Sequence, residues 1–280
     1  MHHAVPYVLL SAADLSLLLY TWLRKKQSFM FVLLLSFTGM VYTFEYVIMV
    51  LLDSYTYLPR IFPARPYQDN VIGATISNLL TVPVLAVAIV QFRLRWVPVL
   101  AVTLLLGLIE WSFVRMDVYE LHWWKIPYTL AALNFFFHFA KAWAKGLARG
   151  SRPLAFLTLF TSAFSLAATL MFALSLGGVR LFQAGLFLDP YRDDVFLATL
   201  DAAVKAAVLS GVLCWTRSRV WWGGALLLFA GLQLFLIGTG RLLLFMPQPA
   251  YFAMYMLCCL AVLVLLSKVD DMINRFAQLR

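Results

Sequence analysis

Apolar residues run along this chain in long unbroken stretches, separated by short segments where Arg, Lys, Asp, Pro and Gly collect. A hydrocarbon core of about 30 Å needs roughly 20 helical residues at about 1.5 Å each. That length predicts nine membrane-spanning helices, at 4–23, 28–52, 70–92, 96–114, 126–143, 154–177, 195–215, 220–240 and 250–267. The apolar runs are continuous rather than alternating, so they read as helices and not as the strands of a barrel. Composition agrees: 63% of residues are hydrophobic and only 12% charged, and the mean hydropathy is +0.86. A soluble globule of 280 residues needs more polar surface than this. The predicted fold class is an all-α integral membrane protein.

A second pattern lies over the first. Pro66, Tyr67, Asp69, Val71, Ala74, Thr75, Val84, Leu85, Arg93 and Arg95 recur 124 residues later as Pro190, Tyr191, Asp193, Val195, Ala198, Thr199, Val208, Leu209, Arg217 and Arg219. Shared hydrophobicity does not account for the matched Pro-Tyr-x-Asp entry and Arg-x-Arg exit. The chain therefore reads as an N-terminal helix (1–27), a first four-helix repeat (28–148), and a second (152–280) that ends in a cytoplasmic tail. Four is even, so both repeats enter the membrane in the same direction, and a parallel duplication about an axis near the membrane normal is expected. The seam falls at Lys141 to Pro153, where basic residues, Gly and Pro gather.

Basic residues set the orientation, because Lys and Arg in short loops are retained on the cytoplasmic side. Arg24, Lys25, Lys26, Arg93, Arg95, Lys141, Lys145, Arg149, Arg152, Arg217, Arg219, Lys268, Arg275 and Arg280 fall on one set of connections; the other holds only Arg60, Arg65, Arg115, Lys125, Arg180, Arg192 and Arg241, accompanied by Asp53, Asp69, Asp117, Glu120, Asp189, Asp193 and Asp194. This predicts a multi-pass protein of the cell membrane with its N-terminus external and its C-terminus cytoplasmic. The formal charge of +9 is spent on these markers, and with no basic patch or recognition module there is no nucleic-acid partner to expect. The first apolar span lacks a preceding basic region and a cleavage signature, so it reads as a retained helix. Cys214, Cys258 and Cys259 are odd in number and lie within or at the ends of spans, so they read as packing residues.

Residues 69–128 contain Asp69-Asn70-Val71-Ile72-Gly73, Phe92-Arg93-Leu94-Arg95-Trp96, Ile109-Glu110-Trp111, Tyr119-Glu120 and His122-Trp123-Trp124-Lys125 in that order. This segment resembles uncharacterised multi-pass membrane proteins of spore-forming Gram-positive bacteria. The resemblance implies a bacterial cytoplasmic membrane and brings no mechanism with it.

Chemistry is expected where charge enters the apolar runs, since each Asp, Glu or Lys near a helix centre costs about 2.5–3.5 kcal/mol to insert. Asp14, Glu45, Glu110, Asp201 and Lys205 do so. Glu45, Glu110 and Asp201 fall in the external halves of their helices, which predicts a polar cavity open to the outside. Asp194, Asp201 and Lys205 are spaced seven and four apart and share a helical face. Their counterparts on the third helix, Asn70, Ser77 and Thr81, form a polar but neutral stripe. Asp201 and Lys205 read either as a functional pair or as mutual neutralisation.

The loop with Asp117, Glu120, His122, Trp123, Trp124 and Lys125 matches no zinc spacing, and its Trp pair fits an interfacial belt. His138 reads as a packing residue, and His2 and His3 merely follow the initiator Met. There is no phosphate-binding Gly loop, no His-Glu-x-x-His and no Gly-x-Ser-x-Gly, so no catalytic residue, metal site or cofactor is expected. The expected partners are the lipid bilayer and a small solute or a proton. Asp201, Lys205, Glu45 and Glu110 would line a cavity between the two repeats of a small permease or ion-coupled carrier. The rival reading is a noncatalytic envelope or sporulation-associated protein that organises lipid or protein partners.

Overall fold

The computed structural model describes residues 3–216 and 220–278. His2, Arg217, Arg219 and Arg280, named above, lie outside the described residues. Nine long helices dominate the rest: α1 Val5–Lys25, α2 Phe29–Leu51, α3 Pro66–Gln91, α4 Trp96–Arg115, α5 Ile126–Ala148, α6 Arg152–Leu176, α7 Pro190–Thr216, α8 Val220–Gly238 and α9 Gln248–Gln278. Eight of them are long and apolar enough to cross a membrane. The exception is α5, which has the length, 23 residues, but carries Asn134, His138, Lys141 and Lys145. The molecule is an all-α membrane protein.

Several helices outrun the apolar stretches that announce them. Pro66 and Pro190 occupy the first turns of α3 and α7, where a fixed φ and a missing N–H suit the helix start. Asp189 caps α7 by accepting the backbone N–H groups of Tyr191 and Arg192 at 2.8 and 3.0 Å. Three helices widen into π-helical turns, at Tyr46–Leu51, Ile76–Thr81 and Val212–Thr216. In α3 the cause is Pro83, which cannot donate to the preceding turn; the Val82 N–H reaches back to the Ser77 carbonyl instead.

The chain divides into two compact units, Met1–Ser151 and Arg152–Arg280. In the first, α1 and α2 pack on α3, and α5 packs on both α3 and α4. The segments after α2 and α4, expected to be loops, each contain a three-residue strand: β1, Tyr55–Tyr57, pairs antiparallel with β2, Tyr119–Leu121, in the register Tyr55 to Leu121 and Tyr57 to Tyr119. In the second unit α6 packs on α7, and α9 packs on both α6 and α8. Here β3, Arg180–Phe182, pairs antiparallel with β4, Leu242–Leu244, with Arg180 opposite Leu244. Strands of three residues are too short to display the alternation that identifies them in a sequence.

From α2 onward in the first unit, and throughout the second, the element order is helix, strand, helix, helix, strand, helix. Three left-handed backbone positions of the first unit have counterparts in the second. Asp53, Arg60 and Asp117 have positive φ in the first unit, and Gly178, Gly185 and Gly240 in the second. Glycine adopts this conformation without the Cβ clash that the first unit tolerates at Asp53, Arg60 and Asp117.

Candidate functional site

Two carboxylates within the helices, buried Glu45 and half-buried Glu110, share a cavity. Glu45 sits at the last α-helical position of α2, just before its π-helical turn, and Glu110 lies near the end of α4. Both line a cavity of about 370 Å³. The π-helical turn of α3 supplies Ser77, Asn78 and Thr81 to one wall, and the ribbon of β1 and β2 supplies Tyr55, Tyr57 and Tyr119 to another. Phe113 and Phe136 add apolar surface, and Trp124 closes the set of aromatic residues against the ribbon.

The polar contacts are incomplete in a specific way. Glu45 Oε1 accepts the Tyr55 hydroxyl at 2.6 Å, while Asn78 faces the carboxylate and no protein donor in hydrogen-bonding geometry reaches Oε2. Glu110 repeats the arrangement: Oε1 accepts from Thr129 at 3.0 Å, Thr129 in turn accepts the Trp124 indole N–H at 2.8 Å, and Oε2 has no protein partner. Glu45 is 92% buried, its relative exposure being 8%. A buried acceptor left without a donor costs about 1–3 kcal/mol, more when charged, so these two oxygens are the chemically unspent atoms of the cavity.

The tyrosines hold their protons. Tyr55 and Tyr57 are pushed well above the ordinary phenol range, first by burial and then by the nearby Glu45 carboxylate. Burial does the same to Tyr119, reinforced by Tyr57, Glu110 and Glu45. Their rings are close packed: Tyr57 and Tyr119 have centroids 4.8 Å apart, and Tyr55 and Trp124 5.9 Å.

Two other sequence-predicted residues have structural partners. Thr81 donates to Asp14 of α1 at 2.6 Å while lining the cavity. Asn70 does not line it; its Oδ1 accepts the Tyr57 N–H at 2.8 Å and ties α3 to β1.

Asp194, Asp201 and Lys205 lie in the second unit, and the cavity that holds Glu45 and Glu110 is built from first-unit residues alone. Here charge is met by charge. Lys205 pairs with Asp201, and Arg180 with Asp194, all four side chains being buried. Asp194 also accepts the Phe182 N–H at 2.7 Å, the counterpart of the bond from Tyr57 to Asn70. Gln233 lies 3.4 Å from Asp201 through Nε2 and accepts the Tyr251 hydroxyl at 2.8 Å. The Lys205 ammonium stands 4.8 Å from the Tyr255 ring centroid. The helical spacing of Asp201 and Lys205 announces the pair; Arg180, in a loop as read from sequence, gives no such signal.

The external-loop cluster divides. His122 Nδ1 contacts the Asp53 carbonyl at 2.7 Å, and the Trp123 indole donates to the Leu52 carbonyl at 2.8 Å, so both pin the loop to the end of α2. Trp124 faces the cavity. Among the described residues no group of three or more His, Cys, Asp or Glu side chains converges. No protein-family model, curated protein or solved structure matches the chain.

Proposed function

We propose that this protein is a small-solute carrier of a bacterial cytoplasmic membrane whose substrate site is the cavity of the first unit. The observation that carries this reading is a pair of carboxylates, buried Glu45 and half-buried Glu110, each with one oxygen lacking a donor, lining a cavity within a bundle of membrane-spanning helices. Such groups are costly to keep in a membrane and mark solute or ion paths. The matched element order and matched left-handed positions of the two units support an internal duplication of the kind that carriers use. The basic residues between α1 and α2, α3 and α4, and α5 and α6 support an external N-terminus and, with α5 crossing as the ninth span, a cytoplasmic C-terminus. Both strand ribbons, and with them the tyrosine end of the cavity, then face outward. The resemblance of residues 69–128 to membrane proteins of spore-forming bacteria supports the choice of membrane.

The test is uptake without a preconceived substrate. Purified protein in liposomes is incubated with a small-molecule extract, and the lumen is analysed by mass spectrometry. At least one solute should accumulate above the level in protein-free vesicles and fall back with Glu45→Gln plus Glu110→Gln. An equal lumen content with and without protein would remove the carrier reading and favour an envelope protein that organises lipid or partners.

A further inference from the structure

The two units treat the same interior positions in opposite ways. Tyr55 and Arg180 each open the first strand of their unit. Thr81 and Lys205 each lie fifteen residues beyond the proline that starts the helix, 81 − 66 and 205 − 190. Glu110 and Gln233 each lie seven residues before the left-handed residue that ends the turn, 117 − 110 and 240 − 233. The bond from Thr129 to Glu110 has its counterpart in the bond from Tyr251 to Gln233.

At these positions the second unit places two cations of its own, Arg180 and Lys205, against Asp194 and Asp201. It keeps an ammonium against a carboxylate and within 4.8 Å of a tyrosine ring centroid. The first unit has Tyr55 and Thr81 there instead, a neutral partner at the position of Gln233 replaced by Glu110, and a cavity of about 370 Å³. None of the residues lining that cavity is Lys or Arg. Among its buried side-chain atoms, one oxygen each of Glu45 and Glu110 lacks a donor, and its lining includes tyrosine and tryptophan rings, whose faces attract cations.

We infer that the first-unit cavity binds a small organic cation, an ammonium head on an apolar body, with the head between Glu45 and Glu110 and the body against the aromatic walls. The ligand supplies the charge that Lys205 supplies internally in the second unit. A volume near the lower end of ordinary ligand sites, about 300–1,000 Å³, sets the size class as small. The inference rests on the first-unit cavity being the substrate site and adds the charge and class of what enters it.

The experiment is equilibrium binding to the full-length protein in detergent or nanodiscs, with three probes of one shape and different charge: 2-phenylethylammonium, 2-phenylethanol and 3-phenylpropionate. The ammonium should bind at least tenfold more tightly than the alcohol, and the carboxylate should not compete. Glu45→Gln and Glu110→Gln should each weaken the ammonium by about tenfold and leave the alcohol unchanged. Thr81→Lys, which imports the second unit's internal cation, should abolish ammonium binding while raising thermal stability. If the alcohol or the carboxylate binds the wild-type protein as well as the ammonium does, or if none of the three binds, the inference falls; this comparison stands even where a variant fails to fold. Binding of the ammonium without any flux in vesicles would remove the carrier reading alone. Flux of a neutral or anionic solute that 2-phenylethylammonium does not inhibit would remove the cation class alone.

Discussion

Asp69 and Asp193, 124 residues apart, make the same bonds in their separate units. One oxygen of Asp69 accepts the N–H groups of Ile61 and Phe62 and the other that of Arg60, at 2.7 to 2.8 Å. One oxygen of Asp193 accepts from Leu186 and Phe187 and the other from Gly185, at 2.7 to 3.2 Å. Each carboxylate gathers three consecutive backbone donors of the loop before its own helix, and so fixes the path from ribbon to helix. The conserved spacing of Pro-Tyr-x-Asp in the chain thus has a mechanical meaning: the Pro starts the helix and the Asp, one turn on, clamps the chain that enters it.

Replacing either carboxylate leaves three backbone donors without their acceptor. Asp69→Ala and Asp193→Ala should each destabilise the detergent-solubilised protein by about 2–4 kcal/mol, since bonds to a charged group contribute about 1.5–3 kcal/mol and water takes up part of the loss. Limited proteolysis should locate the damage. Cleavage should rise between 58 and 65 for the first variant and between 183 and 189 for the second, each without the other.

The buried pair of Asp201 and Lys205 behaves as part of the fold. Removing one partner, in Asp201→Asn or Lys205→Met, leaves an uncompensated buried charge and should cost about 3–5 kcal/mol. The double variant should recover most of that stability and should retain 2-phenylethylammonium binding, because the cavity is lined by first-unit residues. Thermal unfolding beside equilibrium binding separates these outcomes; a stable double variant that no longer binds would return the pair to the functional site.

Close packing makes a sharper demand at Gly73. A Cβ there would stand 2.4 Å from Tyr57 Cβ, which belongs to the ribbon, whereas a Cβ at Gly107 would stand 2.6 Å from Leu130 Cδ2, the tip of a mobile side chain. Gly73→Ala should therefore lose about 1–3 kcal/mol through overpacking and displace a cavity wall, weakening probe binding. Gly107→Ala should be milder in both readouts. Equal effects from the two substitutions would show that β1 does not hold Tyr57 against α3 as tightly as this packing requires.

The helices are legible in the sequence because burial in lipid demands long apolar runs, and Glu45 and Glu110 are legible because a carboxylate within such a run is expensive. They meet in one cavity because α2 and α4 belong to one unit; Asp201, read at the same depth, lies in the other and does not join them. The rest of the cavity is hidden by chemistry that has an ordinary alternative. Tyr55, Tyr57, Tyr119 and Trp124 fit an interfacial belt equally well until β1 and β2 pair and turn them inward. Asn78 and Thr129 are common polar residues of membrane helices. Gln233 and Tyr251 carry no charge signal, and they gain meaning only beside Glu110 and Thr129. Asp201 and Lys205 draw attention by charge, yet charge that is mutually satisfied marks a fold as readily as a site.

Orientation fixes which side of the membrane feeds the cavity, since the tyrosine ribbon lies at one end of it. In a background with Cys214, Cys258 and Cys259 replaced by Ala, single cysteines at Glu120 and Leu188 probe the connections that carry the two ribbons, and one at Arg149 probes the seam between units. All three positions are exposed. The clustering of basic residues around Lys141, Lys145, Arg149 and Arg152 predicts a cytoplasmic seam. Intact cells treated with a membrane-impermeant maleimide should therefore label the cysteines at 120 and 188 and spare the one at 149, which should react once the membrane is opened. The reverse pattern would turn the molecule over and make the cavity accessible from the cytoplasm. Labelling of 120 without 188 would put the two ribbons on opposite sides; α5, the helix less apolar than its neighbours, would then not cross, and the parallel duplication itself would fall.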